Sequence, residues 1–132
     1  MDVALRGFYE ALLAVLRRDE VHSGAWRLAE IRPAWDGNPT WDGFVVMAWE
    51  GAAASRLLVA VNYSPTQAQC WARVPLAGLE GKVRLRDLLS RDEYVREGDE
   101  LRWKGLYLDV PAWRHHVFAV EAVGPDVPGA RR

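Results

Sequence analysis

Seven tryptophans in a chain of 132 residues are the enrichment that points to surface chemistry. Trp35 and Trp41 stand in PAWDGNPTWDG, residues 33–43, a stretch of proline, glycine, aspartate and asparagine whose turn chemistry reads as a loop. Trp71 alternates with Gln69 and Arg73 on the wet side of a strand. Flat aromatic faces in such places stack on sugar rings through apolar and CH–π contact, so Trp35, Trp41 and Trp71 are the candidate sugar contacts. The alternative for the first two is structural, with Trp35 and Trp41 folded down as lids over one end of the domain. Trp26, Trp49 and Trp103 fit strand positions and read as core or edge packing.

No constellation for catalysis accompanies them. His115 and His116 are adjacent on a strand, so their side chains leave opposite faces and cannot share one metal, and His22 is far away in sequence. Nucleophilic catalysis needs a base and an orienting carboxylate around a serine or cysteine, and no nucleophile-elbow motif surrounds any serine or Cys70. Cys70 alternates onto an inward face, where it reads as a small buried hydrophobe. Carboxylates that could pair for glycoside hydrolysis lie mostly in polar turns such as residues 90–100, as solvated charges do. No glycine-rich loop joins a strand to a helix, so phosphate cradling has no support. Asn62-Tyr63-Ser64 matches a glycosylation acceptor but sits at a strand end before Pro65, which argues against its use. The expectation is therefore no catalytic, cofactor-binding or metal-ligating residue.

The elements that must position these side chains are mostly short strands. A net charge of −1 supplies no basic field for nucleic acid and no cationic face for a membrane. No apolar run approaches membrane-spanning length and the N-terminus lacks signal-peptide features, which favours the cytoplasm. Asp2 is a plausible N-cap for a helix over Val3 to Arg18, whose large apolar side chains from Leu5 to Leu16 span roughly 160°, wider than the ~100° needed to pack on one surface. Such a helix has room for two partners, and dimerisation through it is one use of the surplus.

Beyond a turn at Val21 to Gly24 the period changes to two. Ala25 to Ile31 reads as one edge strand ended by Pro33, and Phe44 to Glu50 as a central strand with apolar residues on both faces. RLLVAVNYSPTQAQCWARVPL, Arg56 to Leu76, reads as two strands joined at Ser64-Pro65-Thr66 in a hairpin, giving a three-strand meander through residues 44–76. Val59, Val61, Cys70 and Val74 are its expected core residues. Val83 to Leu89 forms another strand, residues 90–100 a short hairpin around Tyr94 and Val95, and Gly105 to Val110 and Trp113 to Ala122 the closing strands. The whole predicts a mainly β, antiparallel Greek-key sandwich of about seven to eight strands with one N-terminal α-helix. It is one domain over residues 1–122, followed by a disordered tail at 123–132.

The pieces FYEALLAVLRR, SGAWRLAEIRP, AWDGNPTWDGFVVMAWEG, RLLVAVNYSPTQAQCWARVPL, LRDLLS and GLYLDVPAWRHHVFAVE, in this order, resemble the C-terminal β-sandwich domain that follows the (β/α)₈ barrel in the α-amylase family of glycoside hydrolases. The resemblance covers residues 3 to about 121. It implies that residues 2–18 are the last helix of a barrel, and that the sandwich begins near Ser23. It also implies a non-catalytic accessory domain that shields and stabilises the barrel of an enzyme acting on α-glucans. The family's catalytic carboxylates lie on barrel loops, and no position here matches them. The expected partners are the catalytic barrel and, if the tryptophans serve as an α-glucan binding module, the glucan.

Overall fold

The computed structural model describes residues 25–51, 56–76 and 78–123, with Glu10 and Ala14 besides. The helix expected over residues 2–18 lies outside them apart from those two positions, as do the turn at 21–24 and the tail beyond Val123. Among the described residues nine strands form two antiparallel sheets. They are β1 (Ala25–Leu28), β2 (Glu30–Pro33), β3 (Phe44–Glu50), β4 (Arg56–Asn62), β5 (Ala68–Arg73), β6 (Lys82–Asp87), β7 (Glu93–Glu97), β8 (Leu106–Val110) and β9 (His115–Ala122). The larger sheet has the order β1-β3-β4-β9-β6-β7 and the smaller β2-β5-β8. No helix among the described residues is long and apolar enough to cross a membrane.

The expected hairpin over Arg56 to Leu76 is not one. β4 pairs with β3 and β9, whereas β5 pairs with β2 and β8, so the turn after Asn62 carries the chain from one sheet to the other. The meander through residues 44–76 accordingly stops at the β3–β4 pair. Face-to-face packing buries Leu58 and Ala60 of β4 in the same cluster as Ala68, Cys70 and Ala72 of β5, which side-by-side pairing in one sheet would not achieve. Asn62, fully buried, holds the corner: its amide donates to the carbonyls of Thr66 (2.9 Å), Val110 (2.9 Å) and Pro111 (3.1 Å), and its Oδ1 accepts from Ser64 Oγ at 2.6 Å. An asparagine so enclosed cannot receive a glycan in the folded chain.

The core residues shift with the corner. Cys70 and Val74 are buried as expected, but Val59 and Val61 face the other way and are half-buried, their inward places taken by Leu58 and Ala60. The expected strand over Ala25 to Ile31 is likewise divided. Ala29 N donates to Val46 O at 2.9 Å, and beyond it the chain leaves β3 to pair with β5 in the smaller sheet.

Tyr94 and Val95 lie on β7, which pairs with β6, and not at the tip of a hairpin of their own. The chain then forms a short helix, Gly98–Trp103. Leu101 is its fully buried residue, so Trp103, expected to pack, is left 67% exposed. Gly98 lets this helix approach the connection between β5 and β6, because a Cβ there would lie 2.3 Å from Leu79 O. The core gathers Phe44, Val46, Leu58, Leu79, Leu85, Leu101, Leu108, Phe118 and Val120 between the sheets.

The outer face of the larger sheet is divided in two. On β6 and β9 it is charged, with Arg84 and Arg86 reaching Glu121 at 3.8 and 3.1 Å. On β1, β3, β4 and β9 it is apolar, with the cross-strand rows Trp26-Trp49-Leu57, Leu28-Met47-Val59-Val117 and Val45-Val61. Leu57 and Val117 are buried there, but Trp26, Leu28 and Val45 remain 57%, 61% and 42% exposed.

Replacing Gly98 by alanine should force the helix off Leu79 and lower stability by about 1–3 kcal/mol, measured by urea unfolding. A neutral effect would show that this close approach is not a constraint on the fold.

Candidate functional site

The loop that carries Trp35 and Trp41 is fastened to β5 by side chains. Asn38 caps the 3-10 helix Pro39–Gly43, accepting from Thr40 N at 2.9 Å and Thr40 Oγ1 at 2.7 Å. Its amide donates to Gln69 Oε1 at 2.9 Å, and Gln69 N donates to Thr40 Oγ1 at 3.0 Å. A loop held this way can present an aromatic ring without losing much entropy when a ligand binds. Trp35 is 55% exposed, whereas Trp41 is half-buried and packs against the core.

Trp71 sits on the outer face of the smaller sheet, in register with Arg32 of β2 and Tyr107 of β8. The Tyr107 ring lies 5.3 Å from it and tilted by 59°, and Lys104 Nζ stands 4.8 Å from its ring centre. The cation–π contact is worth roughly 0.5–1 kcal/mol at such an exposed place. Arg32, Pro33, Trp35, Asp36, Trp71 and Lys104 line a groove of about 400 Å³. The structure therefore brings Trp35 and Trp71 together at one groove and packs Trp41 against the core. Trp35 is the freer platform, since Tyr107 and Lys104 already contact the Trp71 ring.

A second grouping was not visible in the sequence. Asp87, at the end of β6, accepts from Leu89 N at 2.9 Å through Oδ1, and its Oδ2 lies 2.8 Å from His116 Nδ1. Asp87 is buried, and His116 stacks on Phe118 with ring centres 5.0 Å apart. Burial alone would raise the Asp87 pKa, but the hydrogen bond with His116, the Leu89 and Val117 amides and the nearby histidine charge together hold the carboxyl below its usual range. His115 leaves the opposite face of β9, and its pKa is lowered by burial against the opposing pull of Asp87.

Oxygens of Asp87 and Asp92 and a ring nitrogen of His116 lie within 4.8 Å of one another, at a cleft of about 440 Å³ also lined by Ser90, Arg114 and His115. The Asp87–His116 pair gives the buried carboxylate a partner and fixes the orientation of the imidazole ring, which is sufficient reason for a carboxylate on an inward strand position. Asp87 following Val83 and Leu85 on one alternating face was the available signal, but its partner lies 29 positions away on β9. Cys70 is enclosed, and burial pushes its thiol up to about 12, so it is not a thiolate at neutral pH.

No family model matches the chain, and no curated protein matches it.

Because the Asp87 pKa is lowered on folding, its contribution to stability is present above the unfolded carboxylate value, about 4, and is lost as pH falls through the folded value. Asp87→Asn should therefore lower the thermal midpoint at pH 7, and the gap to the parent should narrow below about pH 4. A gap that stays constant from pH 7 to 3 would contradict the ionised pairing.

Proposed function

We propose that this chain is the non-catalytic C-terminal accessory domain of an α-amylase-like glycoside hydrolase, a Greek-key β-sandwich that stabilises the catalytic barrel. In this reading residues 2–18 are the last helix of that barrel. The observation that carries it is the exposed apolar surface at β1 and β3, on the outer face of the larger sheet. A strand such as β4, with Leu57, Val59 and Val61 on one side and Leu58 and Ala60 on the other, is suited to cover on both faces. The smaller sheet covers one face. On the other, Trp26, Leu28 and Val45 are exposed beside one another, the kind of contiguous patch that marks a contact surface. Its partner is the barrel flank. Catalysis belongs to that barrel, in keeping with the family's pattern of carboxylates on barrel loops.

A second reading is favoured by the groove at Trp35 and Trp71. An exposed indole on a fastened loop, beside a second aromatic ring, suits a glucose ring of an α-glucan. The two readings use opposite sides of the domain and can both hold.

Two measurements test them. The purified chain should not hydrolyse starch, and translating the coding sequence upstream of it should yield roughly 250 or more residues patterned βαβα. Hydrolysis by the purified chain, or an upstream sequence without that pattern, would overturn the accessory-domain reading. Maltotetraose should bind at millimolar concentration and lose binding in Trp35→Ala; a flat titration would dismiss the second reading.

A further inference from the structure

The groove at Trp35 combines a flat apolar surface with two cations and a single acid, Asp36. Among the described residues the other arginines on the sheet surfaces are largely ion-paired: Arg73 with Glu30 at 2.9 Å, Arg84 with Glu93 at 3.7 Å and Arg86 with Glu121 at 3.1 Å. Arg32 and Lys104 are not in such pairs. Arg32 donates from Nη2 to the carbonyl of Lys104, which draws the two residues together. The Lys104 ammonium has the Trp71 ring as its contact. Asp36 is the one acid lining the groove with them. Two cations against one acid in a single concavity leave a net positive charge that favours an anion there.

The aromatic surface limits the size of the neutral part of the ligand. Trp71 is contacted by Tyr107 and by Lys104, so Trp35 is the open platform, and one indole covers about one sugar ring. A long neutral glucan would want a row of such platforms, and Trp41, which could have extended the row, is packed against the core.

We propose that the groove binds a single sugar ring carrying an anionic substituent, a phosphate or a carboxylate. The ring lies on Trp35, and the anion lies between Arg32 and Lys104. The inference rests on the sugar-binding reading of Trp35 and adds to it the charge of the ligand and its short length.

Calorimetric titration of the full chain with glucose 6-phosphate, glucuronate, glucose, maltotetraose and inorganic phosphate tests it. Glucose 6-phosphate and glucuronate should each bind about tenfold or more tightly than glucose, a preference of the size that charge-assisted hydrogen bonds supply. Lys104→Met and Arg32→Gln should reduce that preference to less than about threefold, while Trp35→Ala should weaken binding of all the sugars. Unchanged circular dichroism and thermal midpoints in Lys104→Met and Trp35→Ala establish that these variants are folded. If glucose and maltotetraose bind as tightly as the acidic sugars, the sugar reading stands and the anion inference falls. If inorganic phosphate binds as tightly as glucose 6-phosphate and Trp35→Ala has no effect, the site takes an anion only and the proposal is overturned. Binding of none of these probes overturns the proposal and the sugar reading together.

Discussion

A single buried amide sets the course of this chain. Asn62 has no contact with water and reaches the carbonyls of Thr66, Val110 and Pro111, which belong to the turn leaving β4 and to the exit from β8. Carbonyls left unpaired in such a place would each cost about 1–3 kcal/mol. These bonds tie the end of β4 to β8 of the other sheet at the point where the chain turns a corner into it. Everything nearby inherits that corner. Cys70 and Ala72 face Leu58 and Ala60 across the core, and Trp71 is turned outward beside Arg32 and Tyr107.

The same corner gives the domain two unlike outer surfaces. Over the larger sheet the surface runs from apolar at β1, β3 and β4 to ion-paired at β6 and β9. Over the smaller sheet it is polar and aromatic, with Gln67 and Gln69 both bonded to Asp109 at 2.7 and 3.0 Å, and with the cationic groove at one end. In the proposed assignment the first surface faces the barrel and the second faces solvent, where a sugar can reach it. Stabilising the enzyme and holding a ligand then make no competing demands on one face.

Much of this architecture was legible from residue alternation. The two-sided apolar pattern of Phe44 to Glu50 and of Arg56 to Asn62 placed β3 and β4 inside a sheet, and the Gln69-Trp71-Arg73 alternation placed one wet face on β5. Alternation cannot tell which of two apolar faces is inward, which is why Val59 and Leu58 exchange places. Nor can it tell a hairpin from a corner, because a turn built on Ser64-Pro65-Thr66 serves either. Deciding between them takes the pairing of Asn62 with Val110, 48 positions away. The candidate site divides along the same line. Trp35 and Trp71 were recognisable as outward aromatics, whereas Lys104, Arg32 and the Asp87–His116 pair gain their meaning from neighbours distant in sequence.

The claim on which the account rests is that the apolar face of β1 and β3 is a contact surface for a catalytic barrel. Trp26→Ser, Leu28→Lys and Val45→Lys alter side chains that are exposed in this domain, so together they should leave the thermal midpoint of the isolated chain nearly unchanged. The most direct test is the thermal midpoint of the whole upstream-plus-domain polypeptide carrying the same three substitutions. The account predicts a fall of several degrees there, with α-glucan hydrolysis at low temperature retained. An unchanged midpoint in the whole polypeptide, or an equal fall in the isolated chain, would contradict it.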